Sequence, residues 1–269
     1  MINSTSNKQV KRVVNLRTKA KARREEGLYV AEGLRMCREC PPEEVEALYV
    51  TESFAAEREN RSWLSAYPCE IVTDTVMNVM ADTRTPQGVL ALLRQKKYSL
   101  DNILHPEKLP DGTAPGLTVM ILETLQDPGN LGTIIRAGEG AGITGIVMNR
   151  ETADIYNPKV IRSTMGSVFR VPFVYVDDLH EACRRMKKEN VRLFAAHLKG
   201  MNNYDQEDYT DSVGFLIGNE ASGLTEETAA MADCYIKIPM AGKVESLNAA
   251  VAASVLMFET ARQRRSVLR

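Results

Sequence analysis

Short apolar runs of strand length, separated by stretches of helical period, most narrow what this chain can fold into. Beyond residue 116 these runs are 117–122, 145–148, 191–196, 213–217 and 235–238, each bounded by glycine, proline or polar residues. Residues 131–141, 158–165, 179–189 and 226–231 read as helices between them, and 246–264 as a long last helix. The alternation predicts an α/β fold with a mostly parallel sheet covered by helices. Ligands of such sheets bind outside the carboxyl ends of the strands, so the loops that follow strands are where chemistry is expected.

Before residue 99, the runs 28–30, 47–50, 70–72 and 89–93 read as strands of a smaller α/β module. Residues 99–116 gather Pro106, Pro110, Asp111, Gly112, Pro115 and Gly116 without hydrophobic period, the composition of a linker. With 269 residues against roughly 100–200 for one domain, the expected division is a module over 1–98, a linker over 99–116 and a larger domain over 117–269. The chain is 44% hydrophobic and 26% charged, ordinary for a soluble protein. No run approaches the ~18 apolar residues of a membrane span, and Met1-Ile2-Asn3-Ser4-Thr5 has no apolar signal core. A cytoplasmic protein is expected. Five scattered cysteines, Cys37, Cys40, Cys69, Cys183 and Cys234, argue for reduced thiols rather than a disulfide framework.

The net charge of -1 conceals an uneven distribution. Residues 1–24 hold eight Lys/Arg and no acid, and 262–269 hold four Arg and no acid. The remainder carries 22 basic against 35 acidic residues. Both ends read as cationic arms that neutralise phosphates, which points to nucleic acid, although a solubilising terminus has the same composition.

Three loops after strands combine glycine with polar residues. The first is Asp127-Pro128-Gly129-Asn130-Leu131-Gly132-Thr133-Ile134-Ile135-Arg136, opening a helix whose apolar stripe is Leu131, Ile134, Ile135 and Gly138. Arg136 points away from that stripe, with Gly132 and Gly140 four residues either side. Plain structural readings are Asn130 as the N-cap and Arg136 as a solvated partner of Glu139. The second loop is Gly218-Asn219-Glu220-Ala221-Ser222-Gly223-Leu224, followed by Thr225, which fits an N-cap; a tight turn is the bland alternative. Glu220 needs water or a basic partner such as Arg136. The third, Pro239-Met240-Ala241-Gly242-Lys243-Val244-Glu245-Ser246-Leu247-Asn248, enters the last helix, where Ser246 fits an N-cap. On that helix Leu247, Val251, Val255 and Phe258 form one stripe, and Ala249, Ala250, Ala252 and Ala253 a smooth second surface suited to a homodimer contact or to a core.

Other patterns carry less. Gly138-Glu139-Gly140-Ala141-Gly142 imitates a dinucleotide loop but follows a helix and precedes a strand, the reverse of what pyrophosphate binding requires. Cys37 and Cys40 lack a second pair or a nearby histidine, so no metal site is expected. His105, His180 and His197, without a serine elbow, give little support to hydrolysis.

In their order and spacing the three loops resemble the three motifs of the SpoU/TrmH family of RNA 2′-O-ribose methyltransferases, in the SPOUT superfamily. Tyr29-Val30-Ala31-Glu32-Gly33 and Thr85-Pro86-Gln87-Gly88-Val89 are similar to that family's small substrate-binding domain, so the resemblance spans nearly the whole chain. It implies S-adenosylmethionine as methyl donor, a deep trefoil knot, a homodimer and structured RNA as substrate, ribosomal rather than transfer RNA. It also implies a cofactor held at Ala196, His197 and Leu198, at Gly218, Asn219 and Glu220, at Ile238 to Met240, and at Ser246 and Leu247. The catalytic set it implies is Arg136, Asn130, Glu220, Ser246 and Asn248, with Arg136 activating the ribose hydroxyl. A guanidinium is a reluctant base, protonated up to a pKa above about 12; anchoring a phosphate by a forked contact suits it better. The rival expectations are a transfer RNA methyltransferase, a non-catalytic RNA-binding or assembly factor on the same fold, and a nicotinamide enzyme built on Gly138 to Gly142.

Overall fold

The computed structural model describes residues 1–108, 116–197 and 200–267. The chain divides into two compact units: Met1–Lys96 with Asp154–Phe169, and Lys97–Ala153 with Arg170–Arg269.

In the first unit, helices α1 (Lys8–Thr18) and α2 (Ala20–Glu26) precede strand β1 (Leu28–Glu32). Helix α3 (Leu34–Glu39), β2 (Val45–Thr51), α4 (Glu52–Ala56), α5 (Arg58–Leu64), β3 (Cys69–Val72), α6 (Asp74–Met80) and β4 (Val89–Arg94) follow. The four strands lie in the order β1-β4-β2-β3, with only β2 and β3 parallel. Val10, Val13 and Leu16 recur at helical spacing on α1 and pack with Val76, Met77 and Met80 over Leu90 and Leu92. Buried Glu32 accepts the Asp82 N–H at 2.7 Å, and Gln87 Oε1 accepts the Leu34 N–H at 2.9 Å. The motifs containing Glu32-Gly33 and Gln87-Gly88 therefore meet, and Gly33, at φ +95, supplies the turn that lets them.

The expectation of loose cationic arms is corrected. Residues 8–18 and 20–26 are helical, and several of their cations are structural ties. Arg12 bridges to Glu46 at 2.9 Å. Arg17 donates to the carbonyls of Val79, Met80 and Ala81. Arg23, 3% exposed, reaches Asp154 at 2.6 Å. Near the other end Arg264 donates to the carbonyls of Gly116 and Leu117 at 2.7 and 2.8 Å. Backbone carbonyls and carboxylates thus use charge that composition alone assigns to solvent.

The second unit opens with α7 (Leu100–Leu104), β5 (Thr118–Leu122), α8 (Pro128–Ala141) and β6 (Gly145–Asn149). Helix α9 (Pro158–Thr164) lies in the segment that joins the first unit. The second unit resumes with β7 (Phe173–Val176), α10 (Leu179–Lys188), β8 (Arg192–Ala196), β9 (Asn202–Asn203), β10 (Val213–Ile217), α11 (Glu226–Ala229), β11 (Cys234–Lys237) and α12 (Ala249–Val267). Its sheet runs β7-β6-β5-β10-β8-β11-β9 with every pair parallel, the α/β architecture expected. Strand β10 lies beside β5, so the loops after Leu122 and Ile217 emerge side by side.

Four local readings change. Two strands lie outside the expected runs: β7 is the short apolar run Phe173-Val174-Tyr175-Val176, only partly buried, and β9 is two asparagines. Within the stretch that reads as linker, Leu100–Leu104 is a helix set by a Ser99/Asn102 capping box, with Leu100, Ile103 and Leu104 buried; Pro110, Asp111, Gly112 and Pro115 lie outside the described residues. On α12 the core face is Ala250, Ala253, Leu256 and Met257, whereas Val251 and Phe258 stand 48% and 47% exposed. Small residues let α12 approach the core closely, so alanine rather than valine marks the inner face. Gly138 lies on the buried face of α8, where a Cβ would come within 2.4 Å of Ile143 Cδ1 and displace that side chain. Gly142 is the left-handed C-cap of the same helix at φ 78, so the imitation dinucleotide loop is a helix end.

Candidate active site

Strands β5 and β10 deliver the first two glycine-rich loops to the same edge of the second unit, and α12 starts from the third. Asp127, not Asn130, caps α8: its side chain accepts the Asn130 N–H at 2.8 Å. That frees the Asn130 side chain to point elsewhere. Asn248, not Ser246, caps α12, its Oδ1 accepting from the N–H groups of Ala250 at 2.9 Å and Val251 at 3.3 Å.

These two asparagines and Glu220 form one directed chain. Asn248 Nδ2 donates to Asn130 Oδ1 at 2.8 Å, and Asn130 Nδ2 donates to Glu220 Oε1 at 3.0 Å. Glu220 also accepts the backbone N–H of Asp127 at 3.0 Å and of Gln126 at 3.1 Å. Burial pushes the Glu220 carboxyl up, but the hydrogen bonds from Asn130, Asp127 and Gln126 outweigh it and hold the pKa below the ordinary glutamate value. The basic partner expected for Glu220 is therefore replaced by N–H donors at the start of α8, where the helix dipole also favours an anion.

Arg136 is not joined to this chain. It stands six residues beyond Asn130 on α8, about 9 Å further along the axis. It is exposed and has no hydrogen bond or ion pair among the described residues. Its expected partner Glu139 is engaged by Arg170, with one contact at 3.1 Å. An exposed guanidinium without a partner is available to an anion. Ser246 is likewise exposed and unbonded among the described residues.

The remaining residues singled out by sequence fall as follows. Ala196 ends β8, half-buried, and the His197 N–H donates to Ile236 at 3.0 Å while its ring lies 5.3 Å from that of Tyr235. Leu198 lies outside the described residues. Gly218 permits a close crossing of its own loop: a Cβ would lie 2.1 Å from the Gly223 carbonyl carbon. Asn219 is committed to the loop, exchanging backbone bonds with Gly223 at 3.0 and 2.9 Å and donating its amide to the Thr124 carbonyl at 2.9 Å. Ile238, Met240 and Leu247 are half-buried. The backbone groups of residues 240–247 enter no hydrogen bond among the described residues, which leaves donors and acceptors for a ligand. Sequence reading passed over Glu123, Thr124 and Asn149, which brace these loops from beneath. The one signal available was an acid placed immediately after a strand.

The profile described as the SpoU rRNA Methylase family matches residues 117–258, and that of the MRM3-like substrate binding domain matches residues 7–91. A Bacillus subtilis protein named 23S rRNA (guanosine(2553)-2′-O)-methyltransferase RlmP is 29% identical over 265 residues, covering 96% of this chain and 97% of that one. Among solved structures, an AdoMet-bound rRNA methyltransferase from Sinorhizobium meliloti is 30% identical with a TM-score of 0.82, covering 97% of each chain. The SpoU methyltransferase AviRb from Streptomyces viridochromogenes in complex with AdoMet is 26% identical with a TM-score of 0.85, covering 97% of this chain and 99% of that one. The matched segment contains all three loops and the hydrogen-bond chain that links them, and by that match this chain belongs to the SpoU rRNA methylase family.

Proposed function

We propose that this protein is an enzyme that transfers a methyl group from S-adenosylmethionine to the 2′-hydroxyl of a ribose in ribosomal RNA. The observation that carries the reading is the directed chain from the start of α12 through Asn248 and Asn130 to Glu220, which gathers three loops distant in sequence. The donor set fits the cofactor. Unbonded backbone groups over 240–247 suit the adenosine and methionine ends, half-buried Ile238, Met240 and Leu247 suit an adenine ring, and Gly218 and Asn219 keep the intervening loop compact. When bound, S-adenosylmethionine supplies a methyl group on a positively charged sulfur. Glu220, ionised at neutral pH, holds the first loop and Asn130 in place. Arg136 grips the phosphate beside the target by two parallel N–H contacts and orients the hydroxyl, and Ser246 and Asn248 line the approach. Incubating the protein with labelled S-adenosylmethionine and ribosomal RNA tests this: label in ribose of one nucleotide is expected, and none would refute it.

In this reading residues 1–98 bind the RNA and 117–269 catalyse, and of the stretch 99–116 between them α7 belongs to the second unit. Lys8, Lys11, Lys19 and Arg24 are exposed and have no ion pair among the described residues, unlike Arg12 and Arg23, and Arg17 is taken up by backbone carbonyls. They remain for phosphates. Reversing Lys8, Lys11 and Lys19 to Glu will weaken RNA binding and flatten its salt dependence by about 0.9 in log–log slope per lost phosphate contact. An unchanged slope in filter binding across a salt series would exclude them.

The same reading makes the protein a cytoplasmic homodimer whose last segment is threaded as a trefoil knot. Among the described residues no helix is long and apolar enough to cross a membrane. The exposed stripe Val251 and Phe258 on α12 supports self-association. Phe258→Asp will shift the sedimenting species from dimer to monomer; a wild-type monomer would contradict the dimer.

A further inference from the structure

Strand β5 is followed by Glu123, 8% exposed, whose carboxylate is wholly occupied. One oxygen accepts the Thr225 N–H at 2.8 Å; the other accepts the Thr225 hydroxyl at 2.8 Å and the hydroxyl of Thr228. Thr225 Oγ1 in turn accepts the Thr228 N–H at 3.2 Å and so caps α11. Glu123 thereby fixes where the loop Gly218–Leu224 ends. The hydroxyl of Thr228 has one proton, and giving it to Glu123 leaves its oxygen to accept from His180 Nε2, 3.0 Å away. The arrangement requires His180 to carry a proton on Nε2.

The next residue secures the other end of the same loop. Thr124 lies at φ 54, a conformation that a β-branched residue adopts only under constraint. Asn149 supplies that constraint, accepting the Thr124 N–H at 2.8 Å and donating to its hydroxyl at 2.8 Å, and Asn219 donates to its carbonyl at 2.9 Å. The loop is thus held at its entrance through Asn219 and Thr124, at its exit through Glu123, and in the middle through Glu220.

We infer that Glu123 is a positioning residue for the methyl-transfer reaction: it touches neither reactant, but through Thr225 and Thr228 sets the register of the loop Gly218–Leu224 against α8. This rests on the function proposed above. A misplacement of about 1 Å costs on the order of 100-fold in rate.

Two substitutions test it. In Glu123→Gln the remaining carbonyl oxygen takes the Thr225 N–H and the new amide faces the two hydroxyls. Thr228 then donates to His180, whose proton moves to Nδ1. Thr228→Val keeps shape and removes the hydroxyl, and Thr228→Ser restores it. Expected are an Nε2–H tautomer of His180 in the free wild-type protein by ¹⁵N NMR and Nδ1–H in Glu123→Gln. Both Glu123→Gln and Thr228→Val should raise the calorimetric Kd for S-adenosylmethionine and lower kcat/KM about 10- to 100-fold, with Thr228→Ser near wild type. Should Glu123→Gln not fold, the valine and serine pair decides. A Kd and kcat/KM within about twofold of wild type in Thr228→Val, per folded molecule, would overturn the inference while leaving the function standing. A wild-type protein that neither binds nor transfers would overturn both.

Discussion

Arg136→Lys will lose methyl transfer by about 100-fold or more, the scale on which one preorganised charged contact acts, while melting at the wild-type temperature. The two halves of this expectation have separate causes. The guanidinium is exposed and has no hydrogen bond or ion pair among the described residues, so the fold has nothing to lose. Lysine keeps the charge but replaces a rigid two-pronged donor with a point charge on a flexible stem, so it cannot hold phosphate and hydroxyl in one fixed geometry. The loss should fall on kcat more than on the RNA Kd, because cations elsewhere still hold the RNA. Single-turnover rates beside filter binding check it; a parental rate would show that the fork is not used.

Glu220→Gln will also cost about 100-fold in kcat/KM, by a different route. The native carboxylate accepts three N–H donors from the start of α8, and a glutamine amide turns one acceptor into a donor facing another N–H. The loop then shifts, and Asn130 and Asn248 with it. Because the group is exposed, melting temperature should fall little. The same carboxylate gives a pH dependence. Its folded pKa lies below the ordinary glutamate value of 4.5, so its contribution is complete above that value and is lost as pH falls through the depressed pKa. S-adenosylmethionine binding should therefore weaken on the acid side below about pH 4.5, and that acid-side loss should disappear in the glutamine variant. Calorimetry across that range checks both; a glutamine variant with wild-type Kd would exclude the clamp.

What the sequence discloses and what it hides follow from range. Apolar runs place β5, β6, β8, β10 and β11, because buried parallel strands are near-continuous in hydrophobic residues. Each of the three loops alone has plain structural readings, and they are legible together because their order and spacing match the motifs of one family. Local pattern fails where a partner is distant. Glu220 announces a need for partners, but not that they are backbone N–H groups more than 90 residues away. Glu123 has no spacing signature, since its partners Thr225 and Thr228 lie over 100 residues further on. The arginines of the first helices read as free charge until the carbonyls and carboxylates that occupy them are in view. On α12 Ala250, Ala253, Leu256 and Met257 face the core and Val251 and Phe258 face outward, a choice that depends on the neighbour rather than on the helix.

A methyl-donor site assembled from three loops should be visible in hydrogen–deuterium exchange with and without S-adenosylmethionine. Simultaneous protection over 218–224 and 238–248, with the start of α8 included, is predicted. Protection confined to one of these segments, or found only in the first 96 residues, would contradict a single methyl-donor site assembled from all three loops.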